Sequence, residues 1–145
     1  MCAMRRAART VKQSLPVATE FQEQCAVVQW WALYGPAHGL DVRLLIASAN
    51  GAHLAGDAQS RAIKMRKLKA AGLRAGCPDL LLAVPRRNFC GLWLEVKRST
   101  WVIVRGAHEN DQAQYLSLLR GMGYTACFAA GAEKAIYSIK KYLEG

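Results

Sequence analysis

Several things are scarce in this 145-residue chain, and each scarcity narrows what it does. No run of eighteen apolar residues occurs, so no segment is a candidate membrane span. The five cysteines, Cys2, Cys25, Cys77, Cys90 and Cys127, are odd in number, scattered and without a Cys-x-x-Cys. That argues against a disulfide framework or a zinc knuckle; Cys25 and Cys127 lie in apolar runs and are expected in the core. His38, His53 and His108 are equally dispersed, and no His-Glu-x-x-His is present. Acid is scarce too: 10 Asp and Glu stand against 20 Lys and Arg, for a net charge of +10. With a pI of about 9.8 the first expected partner is nucleic acid, although an acidic protein or an anionic membrane surface satisfies the same balance. The N-terminal stretch carries Arg5, Arg6, Arg9 and Lys12, but no apolar segment follows to make a secretory signal. A loose, flexible basic arm is expected over 1–18, and a reducing cytoplasm as the compartment.

What remains is a chain of 52% hydrophobic content, enough for one compact domain over 19–145. Thr19 and Gln22 have capping-box spacing, and Val27, Val28, Trp31 and Leu33 supply an apolar stripe for a first helix ending near Gly35-Pro36. Arg43 to Ala47 reads as a short strand closed by Asn50-Gly51. Asp57 to about Ala71 reads as a helix with Ala58, Ala62, Met65 and Leu68 on one side. The rest of that helix and the loop after it concentrate Arg61, Lys64, Arg66, Lys67, Lys69 and Arg74 without an interleaved acid. A solvated helix face is the plain reading, but self-repulsion makes a polyanion site the better one.

Asp79 to Val84 is a continuous apolar run and hence a buried strand; Pro85 to Asn88 turns the chain into a second strand over Gly91 to Lys97. Arg98 to His108 is irregular, Glu109 to Met122 a helix, Tyr124 to Ala130 a strand and Ala132 to Leu143 a closing helix. The order α-β-α-β-β-α-β-α predicts an α/β fold, a mixed β-sheet flanked by helices on both faces.

The chemistry gathers at the hairpin. Period-two alternation puts Leu92, Leu94 and Val96 on one face and Trp93, Glu95 and Lys97 on the other. With Val84 opposite Gly91, Asp79 falls opposite Val96, beside Glu95 and Lys97. Taken alone, Glu-x-Lys is more often a solvated strand face. Here the neighbours are apolar and helices cover both faces, so the acids are not free in water. Close carboxylates raise one another's pKa unless neutralised, and a hard divalent cation with oxygen ligands does that more fully than one lysine. Phosphodiester hydrolysis uses such a set: acids for a cation, and a lysine to hold the attacking water or stabilise developing charge.

At these residues the sequence resembles a known family. Gly76-Cys77-Pro78-Asp79-Leu80, followed by Leu94-Glu95-Val96-Lys97, resembles the PD-(D/E)xK nuclease signature, and more narrowly that of the small phage and bacterial virus-type replication-repair (VRR-NUC) nucleases. Glu20 with Gln24, Gln29-Trp30, Asn50-Gly51, Asp111-Gln112 and Gly123-Tyr124 fall in that family's order, covering roughly residues 19 to 143. The resemblance implies a restriction-endonuclease-like fold. It implies that Asp79, Glu95 and Glu20 bind Mg2+, which Mn2+ can replace, with Val96 offering a backbone carbonyl. It implies Lys97 as the catalytic lysine, Gln112 as a helper facing the site, and a homodimer acting on branched DNA such as Holliday junctions. His53 and the long apolar segment Arg98 to Arg105 depart from the pattern. On residues alone, Glu20 and Glu23 are also explained as acids in a helix's first turn, and Gln112 as an exposed helix residue. Trp30 and Trp31, adjacent on one helix, and Trp101 to Val104 are candidate interface material.

The expected function is therefore a metal-dependent, structure-specific DNA endonuclease, with Arg61, Lys64, Arg66, Lys67, Lys69 and Asn50 contacting DNA. The alternative is a non-catalytic, structure-sensing DNA-binding domain of the same fold. An RNA-binding module lacks its motifs here: no ribonucleoprotein aromatics, Gly-x-x-Gly clamp or zinc knuckle is present.

Overall fold

The computed structural model describes residues 15–49, 54–103 and 106–145. The expectation of an N-terminal arm falls largely outside these residues, as do Asn50 and His53. Helix α1 spans Glu20–Ala37 and opens on the predicted capping box, in which Thr19 Oγ1 accepts from Gln22 N and Gln22 Oε1 accepts from Thr19 N. Its buried face is Glu23, Val27, Trp31 and Gly35, one residue per turn. This corrects the predicted stripe: Val28 and Leu33 lie off that i, i+4 row and are 42% and 79% exposed. Trp31 is buried with its indole N–H on the Val42 carbonyl at 3.0 Å, whereas Trp30 is half-buried and stacked on Tyr34. The two tryptophans thus use neighbouring parts of one core rather than forming an exposed interface.

A 3₁₀ turn, Val42–Leu44, takes up the start of the predicted first strand, leaving β1 as Leu45–Ala47. Helix α2 spans Ala58–Ala70, capped by the Asp57 carboxylate on Ser60 N. None of its residues is buried; on the predicted apolar side Met65 and Leu68 are half-buried, and Ala58 and Ala62 are exposed. Strands β2 (Leu80–Leu82) and β3 (Leu92–Lys97) form the hairpin, α3 spans Ala107–Gly121, β4 Thr125–Ala130 and α4 Gly131–Glu144. The helix α3 begins two residues before its predicted start. The mixed sheet runs β1-β2-β3-β4, antiparallel except for the parallel β3–β4 pair that α3 connects.

The apolar sides of β2 and β3, Leu80, Leu82, Leu92, Leu94 and Val96, meet Val27 and Trp31 of α1 and Ala135 and Ile139 of α4 in one buried cluster. Helix α3 packs on β3 and β4, and its Gln112 meets Glu95 of the alternate β3 set. Cys25 and Cys127 are intermediate in burial, less enclosed than expected.

Register decides where the chemistry lies. Leu80 pairs with Leu94 and Leu82 with Leu92, so the pairing is one residue away from the predicted one, and Asp79 continues the row toward Glu95 rather than Val96. The physical reason is parity. The predicted register puts Asp79 across from the core face, whereas the observed one keeps Leu80 and Leu82 with Leu92 and Leu94 in the core and sends Asp79 to the side of Glu95.

Candidate active site

Helices on both sides of β3 leave a cavity of about 400 Å³ at the strand's C-terminal end. It is lined by Glu20, Ala75, Gly76, Cys77, Asp79, Glu95, Lys97, Trp101, Glu109 and Gln112. Five of the six residues expected to be catalytic or metal-binding therefore meet here. The sixth, Val96, does not line the cavity; its side chain is in the core and its N–H is held by Asp79.

Asp79 joins two strands. Its main-chain carbonyl accepts from Ser48 N beyond β1, and its carboxylate Oδ2 accepts from Val96 N beyond the last β2–β3 pair, both at 2.8 Å. The loop before it is set by Gly76, whose φ of +76° suits glycine. A Cβ there would stand 2.8 Å from the Asp111 carbonyl carbon and oxygen, so the loop lies directly on α3.

Glu95 is 3% exposed, and its Oε1 receives both the Gln112 amide and, at 3.1 Å, Lys97 Nζ. Lys97 Nζ is also 3.9 Å from Oε1 of Glu20, whose side chain is half exposed on the first turn of α1. Burial first, and then the Asp79 charge, push the Glu95 carboxyl up to about 7, against the pull of Lys97. Burial likewise raises Asp79, opposed by the Val96 N–H and Lys97.

The donor set suits a hard cation. Glu95 Oε2 and Gln112 Oε1 are buried and have no hydrogen-bond partner among the described residues. Leaving such acceptors bare is unfavourable unless something positive reaches them. Four carboxylates, Glu20, Asp79, Glu95 and Glu109, line the cavity with one lysine, so the charge is incompletely balanced. At the same time, no three of the described His, Cys, Asp and Glu side chains stand close enough to form a ready ligand cluster. Glu20, half exposed on α1, is less enclosed than Glu95.

Two lining residues had no motif to mark them. Trp101 donates its indole N–H to Glu109 Oε1 at 3.0 Å and stacks on Phe128, closing one side of the cavity. Glu23, also without a motif, accepts Ala132 N at 2.8 Å and caps α4, which has no side-chain cap of its own. The basic residues Arg61, Lys64, Arg66, Lys67 and Lys69 all project from the exposed helix α2. That helix leads through Arg74 into the Gly76 loop of the cavity.

No family model and no curated protein matches the sequence. A solved structure described as a VRR_NUC domain protein matches with a TM-score of 0.66 and 22% identity, over 90% of this chain and 92% of that one. The chain has that nuclease-like fold. At this identity the likeness speaks for the fold alone.

Proposed function

We propose that the protein is a Mg2+-dependent, structure-specific endonuclease that hydrolyses phosphodiester bonds in DNA, with branched DNA such as a four-way junction as its substrate. One observation carries the reading. A nearly fully buried carboxylate, Glu95, leaves one oxygen unpartnered on a cavity shared with Asp79 and Lys97. A surface that merely binds DNA needs cations and gains nothing from buried acids.

Asp79, Glu95 and Glu20 are the residues to hold the metal; the Val96 carbonyl, the further donor that the resemblance implies, does not line the cavity. When bound, the cation supplies a water of lowered pKa and neutralises charge on the phosphate. The chain's own residues do the rest. Gln112 fixes the Glu95 carboxylate by its amide, and the Val96 N–H fixes that of Asp79, so neither acid has to reorganise. Lys97, nearly enclosed and held by Glu95, is positioned to hold the attacking water or to stabilise charge that develops on the phosphate oxygens. Exposed cations on α2 hold the flanking phosphates and set the register of the duplex on the domain.

The test is a panel of labelled duplex, flap, fork and four-way junction DNA, with Mg2+, Mn2+ or EDTA. Metal-dependent cleavage concentrated at branches is the expected result. Tight binding of branched DNA without cleavage in any metal points instead to a structure-sensing binding domain.

A further inference from the structure

Among the described residues, two β-branched apolar side chains beyond Trp101 are left exposed. Val102 is 69% exposed and Ile103 82% exposed. Single exposed apolar side chains are ordinary, but these are adjacent and sit at a particular place. Trp101 lines the cavity, and two Cα steps span at most about 7–8 Å, so the pair stands at the cavity's lip. Their base is held firmly. Trp101 N donates to the Arg98 carbonyl at 2.9 Å, its indole donates to Glu109, and its ring stacks on Phe128. The pair is thus presented from a fixed turn, with the exposed guanidinium side chain of Arg98 at the turn's start.

Resting on the nuclease reading above, we propose that Val102 and Ile103 form an apolar wedge that enters the base stack of the bound DNA next to the scissile phosphate. DNA whose phosphate enters the cavity on the Trp101 side runs over this lip. Apolar side chains pushed between base steps unstack and kink the duplex, and a branch point, already unstacked, receives them with less resistance. The preference for branched DNA then comes from the ease of opening the stack, without base-specific contacts. A second copy of the chain is the competing occupant. Two side chains, however, fall far short of the roughly 800 Å² and 20–30 residues per partner of a stable protein interface. A protein seated there also stands where substrate must pass, whereas a chain of net charge +10 draws DNA to its surface.

The experiment uses the full chain, its Val102→Ser/Ile103→Ser variant and, as a rescue, the Val102→Leu/Ile103→Leu variant. Two DNA substrates carry 2-aminopurine beside the cleavage site, one fully paired and one with a short mismatched bubble there. Wild-type protein should raise 2-aminopurine fluorescence on paired DNA. The serine variant should lose that rise, and its ratio of bubble to paired cleavage should climb about tenfold, since unstacking a base step is the energy the wedge supplies. The leucine variant should restore both. An unchanged ratio with fluorescence rising as before overturns the wedge. So does a serine variant that sediments as a smaller species than wild type and loses activity equally on both substrates, which assigns the pair to a protein interface. A wild-type chain that cuts neither DNA, nor a flap, fork or four-way junction in Mg2+ or Mn2+, ends the nuclease reading. The fluorescence comparison then decides the wedge alone, a rise retained by the serine variant refuting it.

Discussion

Replacing Glu95 with glutamine should make the metal-free protein more stable at neutral pH while ending its activity. The carboxyl is almost wholly enclosed, and its pKa is displaced from 4.5 to about 7, chiefly by burial. A raised carboxyl pKa means that the folded chain holds this proton more tightly than the unfolded chain does. The contribution to stability is complete below about pH 4.5, declines as pH rises toward 7 and stays at its low value above. At about 1.4 kcal/mol for each pKa unit, the penalty for the ionised form comes to about 3 kcal/mol. Glutamine resembles the protonated acid in shape and keeps the oxygen that accepts the Gln112 amide, so the variant does not bear this penalty. For a domain of this size about 3 kcal/mol corresponds to roughly 6–12 °C in Tm. The assay is thermal unfolding of both proteins in EDTA from pH 4 to 8.5. The difference in Tm should be near zero at the acid end, open in favour of Glu95→Gln between pH 4.5 and 7, and then stay flat. Magnesium should narrow the gap by stabilising only the wild type. A variant that matches wild type, or is less stable, at pH 8 in EDTA refutes the claim that Glu95 is held under electrostatic strain.

Four further outcomes are expected. Asp79→Asn, Glu95→Ala and Lys97→Ala should each reduce cleavage at least a hundredfold with DNA affinity retained; asparagine is chosen at position 79 because alanine also strips the Val96 N–H of its acceptor. A Glu95→Ala protein cutting at the wild-type rate contradicts the site. Reversing charge at Arg66 and Lys69 should lower the slope of log K against log salt by up to about 2, near 0.9 for each phosphate no longer neutralised; an unchanged slope places the DNA elsewhere. Gly76→Ala should destabilise the fold by about 1–3 kcal/mol, from positive φ and the Asp111 clash together, and urea unfolding with no shift in midpoint disproves that. Symmetric junction cleavage calls for two equivalent sites, so sedimentation equilibrium at micromolar protein should find a two-fold dimer; a monomer that nicks flaps and never junctions argues against resolution.

Element order was legible because each strand or helix carries its own local pattern: the Thr19–Gln22 cap, the alternation along β3, and the apolar run after Pro78. Relations between elements were less so. Hairpin register turns on a single residue, and Asp79 is as compatible with an offset toward Val96 as with the observed one toward Glu95 until the parity of Leu80 and Leu82 is counted. On α1, Val27 and Val28 look alike in composition, and the packing of the sheet and of helix α4 selects the Glu23–Val27–Trp31–Gly35 row. The convergence of Glu20, Asp79, Glu95, Lys97 and Gln112 was readable through motif spacing, since four elements contribute and spacing preserves their order. The observed roles of Trp101, Glu109 and Glu23 were not legible because they lie in partners distant along the chain or in a loop, where no periodicity announces them.

Asp79 ties the carbonyl side of one strand gap and the N–H side of the other to a single residue. Its carboxylate stands in for the rung that ordinary pairing would supply beyond Leu80 and Leu94, so the sheet forks at this point instead of closing. The fork makes room for the cavity, and the group that holds it open is an acid that faces the cavity. Shape and charge at this position are therefore inherited together: a residue that keeps the fork but loses the charge leaves an intact, empty-handed pocket, while one that loses both lets the strands drift and takes the pocket with it. That coupling makes loss of activity and loss of architecture separable by one atom, the oxygen replaced by nitrogen in asparagine.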